Sequence, residues 1–172
     1  SVDGEKVTDI KHVLSKDAFD DKMVEIGLDD SNVENYPNSL FVSIIGTKDS
    51  LDEYLHEEDT KHYFQANHTN VINLDFDDVD EDTEYNGVNF KAMSINQSDK
   101  LAKFLDDNIS RDDDMEIYIH CRAGISRSRA VAEYIARHYQ VSYDEDERKS
   151  FYSHLNHGVL RRLERSYRIS IS

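Results

Sequence analysis

The residues with the most reactive potential lie in one short segment, His120-Cys121-Arg122-Ala123-Gly124-Ile125-Ser126-Arg127-Ser128. Cys121 is the chain's single cysteine, so it forms no internal disulfide and cannot build a multi-thiolate metal site. Taken alone, such a residue is a small buried apolar group. Its neighbours point to chemistry instead. A loop leading from a strand into a helix can turn successive N–H groups inward as an anion-binding nest, to which the helix adds its positive dipole end. Gly124 permits a backbone angle that a Cβ would resist. A thiol at the base of such a nest, beside a guanidinium, is expected to drop from about 8.5 toward roughly 3.5–7.5 and to be nucleophilic as the thiolate. Arg127 offers a planar fork for two oxygens of a tetrahedral dianion. The pattern therefore suits in-line attack on phosphorus with the equatorial oxygens held by fixed donors.

That arrangement requires a strand before Cys121 and a helix from Arg127. MEIYIH (115–120) is short and β-rich, and RSRAVAEYIARHY (127–139) has helical spacing, with Val131, Tyr134, Ile135 and His138 on one side. Further strands are expected at 39–46 and 70–76. Helices are expected at 15–27, with Ser15 as cap and Gly27 as stop, at 94–108 behind Ser94, and around 144–154 and 157–167. Strands alternating with helices predict an α/β fold in one domain over 1–172, with a central, mostly parallel sheet of about four or five strands flanked by helices. Ligands in such sheets sit beyond the carboxyl ends of the strands, where the Cys121 loop lies.

His-Cys, five residues, then Arg-Ser, between a strand and a helix, resembles the signature of the cysteine-dependent protein tyrosine phosphatases, in their small, atypical dual-specificity branch. The chain is also similar to compact phosphatases encoded by bacteriophages. The resemblance covers about 39–139, leaving 140–172 as C-terminal helices. It implies a phosphocysteine intermediate on Cys121 and a phosphate clamp in Arg127. It implies that Ser128 hydrogen-bonds the sulfur as leaving group, and that His120 orients the loop and helps keep the thiolate ionised. The backbone of Arg122, Ala123, Gly124, Ile125, Ser126 and Arg127 would bind substrate, with the Arg122 side chain directed outward. No metal or cofactor is implied.

Such a mechanism needs a carboxylic acid to protonate the leaving group. The family often carries it in Trp-Pro-Asp; here there is no Trp, and the one proline is Pro37. Asp75, Asp77, Asp78, Asp80 and Asp82 follow the strand near 70–76. Asp78 is the aligned choice, with Asp77 and Asp80 as alternatives. The stretch from Asp78 to Cys121 is longer than the family's usual spacing. The excess falls in 80–91 and could form a flap.

The formal charge of −16 disfavours nucleic acid and anionic membranes as partners. The acidic runs 75–84 and 143–147 and the basic group Arg161, Arg162, Arg165 and Arg168 read first as solvated surface. No apolar run reaches membrane-spanning length, and the first residues lack a secretory pattern, so a soluble, cytoplasmic protein is expected. His154 with His157, and His56 beside Glu57, Glu58 and Asp59, are weak metal candidates. The expected partner is a phosphorylated protein or peptide. Phosphotyrosine is the leading substrate, and a shallow site would admit phosphoserine and phosphothreonine. The alternatives are an RNA 5′-phosphate, a phosphoinositide, or a non-catalytic phosphoprotein-binding module.

Overall fold

A computed structural model describes residues 8–50, 61–109 and 114–171. Its centre is a five-stranded, all-parallel sheet in the order β3-β2-β6-β1-β7, formed by β1 (Thr8–Leu14), β2 (Ser39–Ile45), β3 (Val71–Asp75), β6 (Glu116–His120) and β7 (Val141–Ser142). Helices α1 (Lys16–Ile26), α2 (Ile95–Asn108), α3 (Arg127–His138), α4 (Glu145–Tyr152) and α5 (His157–Ile171) flank it. The expected α/β architecture is present. Among the described residues no helix is long and apolar enough to cross a membrane.

The pleat sorts the strands onto two faces. Leu40, Val42 and Ile44 of β2 and Ile117 and Ile119 of β6 join the larger core, with residues of α2, α3 and α5. Phe41 and Tyr118 turn the other way, onto Phe19 and Met23 of α1 and onto Phe64. Because Ser43 is in register with both His120 and Asn73, these polar residues share the α1 face.

Local signals account for the helix ends. The Ser15 side chain accepts from the Ala18 N–H, and Gly27 closes α1 in the left-handed conformation at φ 76°. Ser94 and Gln97 form a reciprocal capping box at the start of α2.

Four strands lie outside the sequence expectation. β1 carries Lys11 and His12 among its apolar residues, yet it sits between β6 and β7. β7 is only two residues long. The acidic stretch expected as loop contains a hairpin, β4 (Thr83–Tyr85) and β5 (Val88–Phe90), turned by Asn86 at φ 52° and Gly87 at φ 78°. Two positive φ angles at Asn-Gly form the turn whose twist suits paired strands.

The acidic run 75–84 is also more than solvated surface. Asp77 is buried. Its carboxylate accepts from the Thr47 N–H (2.9 Å), the Thr47 hydroxyl (2.6 Å), the Ser50 hydroxyl (2.6 Å) and the Lys91 N–H (2.8 Å). Burial opposes its ionisation, but these donors win and hold the carboxyl below its ordinary range. Asp77 thus ties the end of β2 to the exit of the hairpin. Asp77→Ala would strand those donors and is expected to cost roughly 2–4 kcal/mol in urea unfolding. A loss below about 1 kcal/mol would show that Asp77 is no anchor.

Candidate active site

The loop after β6 brings Cys121, Ser128 and Arg127 together. Cys121 is buried, with Sγ 3.1 Å from Ser128 Oγ and 3.3 Å from the Gly124 nitrogen, whose N–H donates to it. Burial works against a thiolate here. The Arg127 charge opposes it, followed by the Ser128 hydroxyl and the N–H groups of Ser128 and Gly124, and the net result lowers the thiol below its ordinary value. The thiol is 2% exposed.

Gly124 has φ 75°, and an added Cβ would stand 2.6 Å from the Leu14 carbonyl carbon and 2.8 Å from the Ser15 nitrogen. Both strain and contact exclude a side chain there. The loop is also tied to the β1–α1 junction, because the Lys16 N–H donates to Arg122 O (3.2 Å).

Arg127 is buried at the head of α3. One Nη1 donates to Phe76 O at 2.7 Å, while Nε has no hydrogen-bond partner. Ser126 occupies the N-cap of α3, yet its hydroxyl makes no cap bond. It donates instead to Asp78 Oδ1 at 2.7 Å. The helix start is therefore not capped by its own N-cap side chain, and it lies beside an unsatisfied guanidinium.

Asp78 is exposed, and Asn156 Nδ2 also donates to its Oδ1 at 2.8 Å. Asn156 further donates its N–H to Ser126 O (3.2 Å), so one residue ahead of α5 fixes both the loop and the carboxylate. The two alternatives are engaged differently. Asp77 is consumed as an anchor, and Asp80 accepts from the Gly158 N–H while its carbonyl accepts from Arg162.

His120 lies behind the loop, fully buried. Burial pushes it down to about 3, so the imidazole is neutral at physiological pH and contributes no charge to the sulfur. Its Nδ1 lies 3.2 Å from Cys121 O, which as acceptor requires the proton on Nδ1. His120 therefore orients the loop without ionising the thiol.

Arg122 is exposed and lies 3.9 Å from Asp17. Ala123 and Ile125 are exposed as well. Lys16, Asp78, Tyr85, Phe90, Arg122 and Arg127 are among the residues lining a cavity of about 430 Å³. The hairpin thus contributes Thr83, Tyr85 and Phe90 to the cavity wall.

Three positioning residues escape sequence reasoning. Asn156 and Lys16 carry no local signal. Arg129 is detectable only as a charge on a helix that is otherwise buried. Its Nε donates to Gly124 O (2.8 Å), it pairs with Glu147, and its guanidinium lies 3.8 Å over the Phe151 ring. Of the metal candidates, His154 falls in the turn between α4 and α5, so it shares no helical face with His157. His56 and its acidic neighbours lie outside the described residues. No group of three or more His, Cys, Asp or Glu among the described residues could hold a metal ion. Comparisons with protein-family models, curated proteins and solved structures returned no match.

Replacing Arg127 by Met removes the largest influence that favours the thiolate, so the midpoint of Cys121 alkylation by iodoacetate should move to higher pH. An unmoved midpoint would show that the guanidinium does not sense the sulfur. The single cysteine makes the readout unambiguous.

Proposed function

We propose that this chain is a cysteine-dependent phosphatase of the protein tyrosine phosphatase type, hydrolysing phosphotyrosine in proteins through a phosphocysteine intermediate. The carrying observation is the depressed, buried Cys121 thiol, bonded to Ser128 and Gly124, in a strand-to-helix loop beside a buried Arg127 with an unpartnered Nε. A buried guanidinium with free donor capacity calls for an anion of matching fork geometry.

In the proposed reaction the phosphate dianion lies against Arg127 and the head of α3. The Cys121 thiolate attacks phosphorus in line as the P–O ester bond breaks, and Asp78 gives its proton to the departing oxygen. Water then attacks the phosphocysteine and yields its proton to the Asp78 carboxylate. The S–P bond breaks, and the Ser128 hydroxyl donates to the sulfur that recovers the electron pair. Arg127 and the helix dipole serve both transition states.

The cavity supports an aryl leaving group. Tyr85 and Phe90 of the hairpin, with Val79, Ile44 and Ile45, give it apolar walls beside the phosphate position. A phosphotyrosine ring fills such a slot, whereas a serine or threonine ester leaves it wetted. The cytoplasm is the proposed location, since a lone reactive thiol stays reduced there.

p-Nitrophenyl phosphate is the direct test. Cys121→Ser is expected to abolish turnover. Asp78→Asn is expected to slow natural-type esters about 100-fold or more, within the usual worth of a general acid. Wild-type protein that binds phosphopeptides without turning over any ester would establish a binding module instead. Phosphotyrosyl peptides should exceed phosphoseryl ones in kcat/KM by about 10-fold or more, the discrimination one buried ring supplies. Equal rates would remove the hairpin wall from substrate selection.

A further inference from the structure

Behind the loop runs an unbroken chain of polar side chains on the α1 face of the sheet. Asp75 Oδ1 lies 2.5 Å from His62 Nε2. His62 Nδ1 lies 2.6 Å from Ser43 Oγ, and Ser43 Oγ lies 2.6 Å from His120 Nε2. His120 Nδ1 then reaches the Cys121 carbonyl. Ser43 and His120 are fully buried, and the His62 side chain is 12% exposed, while Asp75 meets solvent.

Counting protons fixes the state of this chain. Four hydrogen bonds need four hydrogens. A carbonyl cannot donate and an ionised Asp75 cannot, so two neutral imidazoles and one hydroxyl supply one hydrogen too few. The chain is complete only with one extra proton. His120 is driven neutral by burial and by the cations Lys16 and Arg127 nearby, so that proton belongs on His62, clamped between Asp75 and Ser43. His62 then donates at both nitrogens, Ser43 donates to His120 Nε2, and the remaining His120 hydrogen sits on Nδ1.

We propose that His62 is a positioning residue for the nucleophile loop, acting with Asp75 through Ser43 and His120; as a role in catalysis this rests on the proposed function. Its purpose is tautomer control. Only the Nδ1–H form of His120 can donate to the Cys121 carbonyl. A planar trans peptide with its carbonyl held toward His120 presents the Arg122 N–H on the opposite side. Fixing the tautomer therefore fixes the first peptide of the loop. Without the hydrogen that His62 supplies to Ser43, one bond of the chain is unmade and His120 is free to change tautomer. Charged and titratable groups around the chain include Asp75 on β3, Lys16 on α1 and Arg127 on α3.

The test uses histidine-selective nitrogen NMR and iodoacetate alkylation, neither of which needs phosphatase turnover. In the wild type, His120 should carry hydrogen on Nδ1 alone and His62 on both nitrogens at mildly acidic pH. His62→Ala should shift the His120 nitrogen resonances and release its tautomer from Nδ1. His62→Gln keeps a donor toward Ser43, so it should retain near-wild-type reactivity. His62→Ala should change the alkylation rate about 2- to 10-fold, the factor of one ordinary hydrogen bond. His120 found protonated on Nε2, or insensitive to His62, overturns the proposal. Should a variant fail to fold, the wild-type tautomers decide. A wild type that shows this coupling yet hydrolyses no phosphate ester refutes the proposed function and leaves the relay standing.

Discussion

The site depends on how far a buried sulfur is biased toward its ionised form. Removing a thiolate from water is unfavourable, and burial is the largest single influence on Cys121. The loop meets that cost with a guanidinium, a hydroxyl and two N–H groups, none of which titrates in the physiological range. This constraint explains why the surrounding framework is rigid. Gly124 has no room for a Cβ, Arg129 grips the Gly124 carbonyl, and Lys16 ties the Arg122 carbonyl to the start of α1. A loose loop would let water replace these donors and the thiol would lose its bias.

The sheet explains how remote residues take part. In-register parallel pairing puts Ser43 beside His120, and the two-residue period puts both on the face opposite the Ile117–Ile119 core. The nucleophile's support therefore comes from the α1 side, while the thiol itself packs with the larger core on the α3 side. His120 and the Lys16 N–H both reach the loop from that side.

Much of this was legible in the chain. Strong signals were local: the β-rich run before Cys121, the Ser15, Ser94 and Gly27 helix ends, and the Cys-to-Arg spacing. β1 was illegible because Lys11 and His12 break its alternation, although pairing with β6 and β7 overrides that propensity. The Asn86-Gly87 hairpin had a readable turn, but its strands are three residues each and mostly exposed. Asn156 and His62 could not be found because the partners that matter, Asp78 and Ser126 for one and Ser43 and Asp75 for the other, are distant in sequence. The neutrality of His120 was not legible, since burial depth is a property of the fold.

The acidity of the chain would oppose a dianionic substrate if its carboxylates faced the cavity freely, yet the fold commits them elsewhere. Asp77 is enclosed by four donors, Asp80 caps the start of α5, and Asp82 accepts from the Ala92 N–H beside Lys91. Glu81 lies 3.5 Å from Arg162, which also holds the Asp80 carbonyl. The insertion that made the run so acidic is thereby stitched to α5 and to the exit of the hairpin, which is what lets Tyr85 and Phe90 stand as a wall. Of the carboxylates in this run, Asp78 is the one bonded to the loop itself, through Ser126. The same tethering leaves Asp78 as the exposed carboxylate of this run that lines the cavity and bonds the loop.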